Sequence, residues 1–127
     1  MSRIAVVTGG TAGIGLHTAV GLAESGVTVF VTGRDLNRGR RAETYIRRLS
    51  GRNDATFVQA DVSDLSGVQS LASKLLDRLN RLDILVNNAG HLGRDRYVNS
   101  DGFELDFAVN VVAPFRLTMD LLPLLEI

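Results

Sequence analysis

The segment Thr8-Gly9-Gly10-Thr11-Ala12-Gly13-Ile14-Gly15 decides how the rest of this chain is read. It follows Ile4-Ala5-Val6-Val7, a short, nearly continuous apolar run of the kind covered on both faces in a parallel sheet. It leads into Ile14, Leu16, Ala19, Val20, Leu22 and Ala23 at mostly helical spacing, with Gly26 where a left-handed helix cap belongs. The glycines therefore lie between a strand and a helix, where unpaired backbone N–H groups and the positive end of the helix dipole attract a diphosphate. Gly9 permits the tight turn, Gly13 lets a ligand approach the main chain, and Gly15 lets the helix pack closely on the strand. The Thr11 hydroxyl adds a donor. The glycine spacing differs from G-x-G-x-x-G, and no Lys-Ser/Thr follows as in a triphosphate loop, which disfavours ATP and GTP.

Beyond this turn, strands and helices alternate. Val27 to Thr32 is β-branched and aromatic and reads as a second strand; Ala42, Tyr45, Ile46 and Leu49 then form one helical stripe before Gly51. Ala55 to Ala60 reads as a third strand. Val68, Leu71, Ala72, Leu75 and Leu79 mark the face of a helix that Ser63 or Asp64 caps, and Leu82 to Asn87 reads as a fourth strand. Short loops between such elements imply right-handed βαβ crossovers and a doubly wound α/β fold with helices on both faces of a parallel sheet. The residues from His91 to Ser100 read as an irregular surface loop.

The balance of the chain excludes several classes of partner. Its 127 residues suffice for one domain, and 45% hydrophobic with 22% charged residues is an ordinary globular balance. Fourteen basic and fourteen acidic side chains cancel, leaving no broad positive field for nucleic acid or an anionic membrane. No cysteine is present for a disulfide, thiolate metal site or thiol nucleophile, which fits a reducing cytoplasm. Met1-Ser2-Arg3 runs straight into the first strand, so no targeting segment is expected. The apolar stretch from Phe103 to Ile127 is broken by Asp106, Asn110, Arg116 and Asp120 and reads as a buried helix rather than a membrane span.

Four marks in order carry a family resemblance: Thr8-Gly9-x-x-x-Gly13-Ile14-Gly15, then Asp61-Val62, then Asn87-Asn88-Ala89-Gly90, then Asn110. Together they resemble the short-chain dehydrogenase/reductase family, over essentially the whole chain. The resemblance implies a Rossmann-type sheet, here incomplete at about four strands in the order 3-2-1-4, and a nicotinamide dinucleotide as cofactor. It implies cofactor contacts from Gly9, Thr11, Gly13, Ile14, Gly15, Asp61, Val62, Asn87, Ala89 and Gly90, with Asp61 near the adenine and Asn110 supporting a proton relay. From the residues alone, Asp61 also suits a helix cap and Asn87-Asn88 a turn. Ser100 to Glu104, Phe107 to Asn110 and Phe115 to Thr118 are similar to the retinol-dehydrogenase-like branch, with Ala113-Pro114 in place of the Gly-His common there. Pro114 is expected to disturb its helix locally.

The end of the second strand bears on the choice of cofactor. An NAD-selective site places a carboxylate there for the ribose 2′-hydroxyl, whereas this chain has Gly33 followed by Arg34. A guanidinium pairs with a 2′-phosphate and stacks on adenine, so NADP(H) is expected ahead of NAD(H). Asp35 either caps the next helix or pairs with Arg34, and Arg38 either helps to hold the phosphate or is an exposed helix charge.

The family's reaction on carbonyls and secondary alcohols uses a tyrosine with a lysine four residues on and a serine upstream. Lysine is required because a phenol near pKa 10 is a poor base without a neighbouring cation. Here Tyr45 is followed four residues later by Leu49 and Tyr97 by Asp101, while the one lysine is Lys74. His17 and His91 read as structural or exposed. The apolar ending Leu121-Leu122-Pro123-Leu124-Leu125-Glu126-Ile127 suggests a domain, residues 1–127, cut before the catalytic Ser/Tyr/Lys half. The expectation is an inactive N-terminal part of an oxidoreductase, whose uncovered sheet edge favours self-association or a complementary half. A non-catalytic nucleotide-binding or interaction module is the alternative, and a methyltransferase a weaker one.

Overall fold

The structure is a computed structural model, and it describes residues 2–126. Its centre is a parallel four-stranded sheet in the order β3-β2-β1-β4, formed by β1 (Ile4–Val7), β2 (Thr28–Gly33), β3 (Thr56–Gln59) and β4 (Ile84–Val86). Val6 pairs with Phe30 on one side and Leu85 on the other, so β1 lies inside the sheet. The order and the parallel pairing are those the sequence predicts.

The apolar run of β1 divides by alternation, as successive side chains in a strand point to opposite faces. Ala5 and Val7 join Val29 and Val31 beneath α1 (Gly13–Glu24) and α2 (Leu36–Ser50). Val6 joins Val58 and the buried faces of α3 (Leu65–Arg78) and α5 (Ala113–Leu125). Ala5, Val6 and Val7 are all fully buried, which is why no polar residue interrupts the strand.

Local signals set the element ends. The Asp35 carboxylate accepts the Arg38 N–H at 2.9 Å and Asp64 accepts the Gly67 N–H at 2.9 Å, so each caps the helix that follows. Asp64, not Ser63 or Asp61, thus starts α3. Gly26 and Gly51 take left-handed conformations just beyond α1 and α2. At the opposite edge of the sheet, Asp83 accepts the Ile4 N–H at 2.8 Å, while Asp54 accepts the Thr28 hydroxyl at 2.8 Å and pairs with Arg52.

Three details differ from the sequence expectation. Leu49, placed on the buried stripe of α2, is 45% exposed; Ala42 and Ile46 of that stripe are buried and Tyr45 is partly buried against the core. Leu82 leaves the fourth strand and donates its N–H to the Leu124 carbonyl at 3.0 Å. The apolar C-terminal stretch forms one helix, Leu105–Leu125, built from α4 (Leu105–Phe107), a π-helical turn (Ala108–Val112) and α5. The Ala113 N–H reaches back five residues to the Ala108 carbonyl, and Pro114, which follows it directly, has no N–H to offer the Asn110 carbonyl one turn back. That is the local disturbance expected of Pro114.

This helix meets the length and hydropathy of a membrane span, with a mean hydropathy of 1.4. In the fold it buries one side, through Ala113, Leu117, Leu121 and Leu124. Phe107, Val111, Phe115 and Met119, spaced every four residues, are exposed.

Candidate functional site

The turn after β1 is tied to both neighbouring strands. The Thr8 N–H donates to the Val86 carbonyl at 3.0 Å and the Gly10 N–H to the Thr32 carbonyl at 3.1 Å. The buried Thr8 hydroxyl accepts the N–H groups of Asn88 and Ala89, both at 3.1 Å, and the Asn88 side chain donates to the Gly9 carbonyl at 3.1 Å. The chain leaving β4 is thereby fixed against the chain leaving β1.

Each glycine has an observable reason. Gly9 has φ +62°, and a Cβ there would lie 2.9 Å from the Ala89 Cα. A Cβ on Gly15 would run into the Gly9 carbonyl and the Asn88 amide, so close packing of α1 requires glycine. Gly13 has φ +56° with open space beside it. No side chain caps α1 and its first turn holds no acid; the first backbone bond into the helix is from Leu16 N–H to the Ala12 carbonyl at 3.2 Å. Among the described residues, the N–H groups of Gly13, Ile14 and Gly15 have no acceptor.

These groups stand beside an open cleft of about 740 Å³ along the carboxyl ends of the strands. The turn contributes Gly9, Thr11 and Ala12 to it; the end of β2 contributes Thr32 to Asp35, and α2 contributes Arg38. Ala60 to Ser63 approach from β3, Asn88 to His91 from β4, and Leu105 and Val109 from the long helix. A crevice at this edge of a doubly wound sheet is where ligands bind in such folds.

Of the residues singled out in the sequence, Gly9, Thr11, Arg34, Asp61, Val62, Ala89 and Gly90 come together in the cleft. Gly13, Ile14 and Gly15 form the helix turn beside it rather than its lining. Asn87 does not join them: its side chain donates to the Thr118 hydroxyl of α5 at 3.1 Å. Residues alternate in direction on leaving a strand, so Asn88 faces the glycine turn instead. Asn110 lies in the π-helical turn, outside the lining, where its side chain accepts the His91 N–H at 2.9 Å and donates to the His91 carbonyl at 2.7 Å.

The family model described as short chain dehydrogenase matches residues 3–126. The chain is 42% identical over 124 residues to polyprenol dehydrogenase of Mus musculus, covering 98% of this chain and 37% of that protein. It is 33% identical over 124 residues to retinol dehydrogenase 11 of Mus musculus, covering 98% of this chain and 39% of that protein. Among solved structures, the Pseudomonas aeruginosa RhlG/NADP active-site complex superposes with a TM-score of 0.81 at 41% identity, covering 98% of this chain and 48% of the other. The chain belongs to the short-chain dehydrogenase family. Its relatives include the retinol-dehydrogenase-like branch, and it spans less than half the length of the proteins just named.

In this chain the cleft beside the end of β2 is lined by the guanidiniums of Arg34 and Arg38, with Asp35 between them in sequence. The Arg34 backbone is held by the Gln59 side chain, which donates to its carbonyl at 3.0 Å. Among the described residues, neither Arg34 nor Arg38 forms an ion pair. Asp35 is occupied as a helix cap, and the Arg38 N–H holds its carboxyl below the usual carboxylate range. A Cβ at Gly33 would lie 2.8 Å from the Thr11 methyl, so any side chain at that position displaces Thr11.

Arg38, open in the sequence between a phosphate contact and an exposed helix charge, lines the cleft; Thr32, Leu105 and Val109, which carry no sequence signal, and Ser63, read only as a candidate cap, line it too. His91 lines it as well and is not a lone histidine. Its Nδ1 lies 2.7 Å from Asp106 Oδ1, which also accepts the Gly93 N–H at 3.0 Å. These contacts hold the Asp106 carboxyl below its usual range, the His91 bond foremost. Neither tyrosine reaches the cleft: Tyr45, on α2, packs partly buried against the core with the Arg48 guanidinium over its ring, and Tyr97 is exposed.

Proposed function

We propose that this chain binds NADP(H), in preference to NAD(H), as the N-terminal part of an oxidoreductase acting on a carbonyl or secondary alcohol. The observation that carries the reading is the pairing of bare α1 amides at the glycine turn with Arg34 just after β2 and Arg38 in the first turn of α2. The amides and the helix dipole suit a diphosphate, and the glycines leave space for it to approach. The two guanidiniums suit a 2′-phosphate, and Gly33 supplies no carboxylate to repel one. The NADP complex of the similar RhlG structure supports the same choice.

When bound, the dinucleotide supplies or accepts a hydride. Thr8 and Asn88 keep the glycine turn rigid, and Asp61 and Val62 form the wall on the β3 side of Arg34. Asn110 holds the loop leaving β4 through both backbone groups of His91. The Tyr-x-x-x-Lys that would exchange the substrate proton is not among these 127 residues, so turnover by this chain alone is expected to be negligible.

The test is equilibrium binding of NADPH and NADH by wild type and by Arg34→Ala. The reading expects tighter NADPH binding by wild type and a selective loss of about tenfold for NADPH in the variant, the scale of one charge-assisted bond. Equal losses for both nucleotides would overturn the preference.

The second reading, a non-catalytic nucleotide-binding module or one half of a split enzyme, is favoured by the free edge of β4 and the exposed row Phe107, Val111, Phe115 and Met119. Either surface suits a second copy or a complementary half. No extensive basic field invites nucleic acid, the long helix uses one face as core rather than lying free for lipid, and the lack of cysteine suits the cytoplasm.

A further inference from the structure

We propose that His91, oriented by Asp106, is a ligand-contacting residue of the cleft that accepts a hydrogen bond from a ribose hydroxyl at the end of the dinucleotide remote from Arg34. This rests on the dinucleotide reading above. Sheet order supplies the direction. The glycine turn follows β1, which lies between β2 and β4, so a diphosphate at the turn has Arg34 on one side and the residues after β4 on the other. Neighbouring strands are about 4.8 Å apart, so the two sides belong to different nucleosides of one extended ligand.

Hydrogen bonding defines the ring's proton. Asp106 Oδ1 accepts the Gly93 N–H and is therefore an acceptor toward His91 as well, which places the proton of a neutral ring on Nδ1. Nε2 is left as an acceptor, and among the described residues it has no hydrogen-bond partner. The ring is 35% exposed and lines the cleft, while its backbone is held at both ends by Asn110. A fixed tautomer with one free acceptor, on a backbone that cannot swing away, is suited to a hydroxyl donor. Solvation alone does not require the Asp106 partner.

The experiment compares NADPH with adenosine 2′,5′-bisphosphate, which carries the 2′-phosphate but lacks the second ribose. His91→Phe is expected to weaken NADPH about fivefold, the scale of one hydrogen bond, and to leave the bisphosphate unchanged. Arg34→Ala is expected to weaken both. Ring 15N resonances provide a second readout: the wild-type His91 ring should show the Nδ1–H tautomer, Asp106→Ala should abolish that preference, and saturating NADPH should move Nε2. Unchanged NADPH binding by His91→Phe, or an Nε2 resonance indifferent to NADPH, overturns this proposal while leaving the cofactor reading intact if wild type and Arg34→Ala behave as expected. Failure of wild type to bind NADPH overturns both.

Discussion

The side-chain amide of Asn88 donates to the carbonyl of Gly9 at 3.1 Å, across a sequence separation of 79 residues. With the Thr8 hydroxyl accepting the Asn88 and Ala89 amides, this contact makes the ends of β1 and β4 one unit. The cleft is therefore shaped before any ligand arrives.

Thr8→Val tests that unit. The substitution keeps the side-chain shape but leaves two amides without their acceptor beside a residue that is 4% exposed. We expect a loss of about 1–3 kcal/mol in denaturant unfolding, with weaker nucleotide binding. A change below about 0.5 kcal/mol would show that water replaces the hydroxyl.

Gly15→Ala and Gly13→Ala separate packing from conformation. At Gly15 an added methyl meets the Gly9 carbonyl and the Asn88 amide, whereas at Gly13 it meets open space and only the φ of +56° is unfavourable. Gly15→Ala should cost about 1–3 kcal/mol or more and distort the turn; Gly13→Ala should cost about 1 kcal/mol. Thermal melts of the two variants check the order.

Acid should loosen the sheet from its amino-terminal edge. Asp54 is held below the usual carboxylate value by the Arg52 side-chain bond, and Asp83 by the Arg81 side-chain bond and the Ile4 N–H. A carboxyl whose pKa is lower folded than unfolded stabilises the fold above the unfolded value and loses that contribution as pH falls through the folded one. Stability should therefore decline as pH drops below the usual 3.8. Asp54→Asn and Asp83→Asn should each flatten that decline, as read from unfolding midpoints across the acid range.

Phe115→Asp addresses association. Phe115 is 68% exposed within an apolar row on the long helix, a surface that favours contact with another chain. Sedimentation should show less self-association in the variant, with its melting temperature little changed. Unaltered association would assign contact to the edge of β4 instead.

What the sequence revealed and what it hid follow from how local each signal is. The strand β1, the glycine turn and the caps at Asp35 and Asp64 depend on neighbours within a few residues, and they are legible in order along the chain. The parallel sheet with helices on both faces followed from the alternation and from the handedness of crossovers, while its strand order came from the family resemblance. The choice between Asn87 and Asn88 depended on the direction of each side chain after β4, which a pair of identical residues conceals. His91 and Asp106 meet across a loop 15 residues apart, with no periodicity to announce it. Pro114 signalled a disturbance, but its form, a π-helical turn centred on Asn110, depends on how the helix packs on both sides.

The most direct measurement is a backbone amide titration by NMR with NADPH. The largest shifts are expected on the amides of Thr11 to Gly15, and inorganic diphosphate should move the same amides, more weakly. NADPH bound at saturation with those amides unmoved would contradict that expectation.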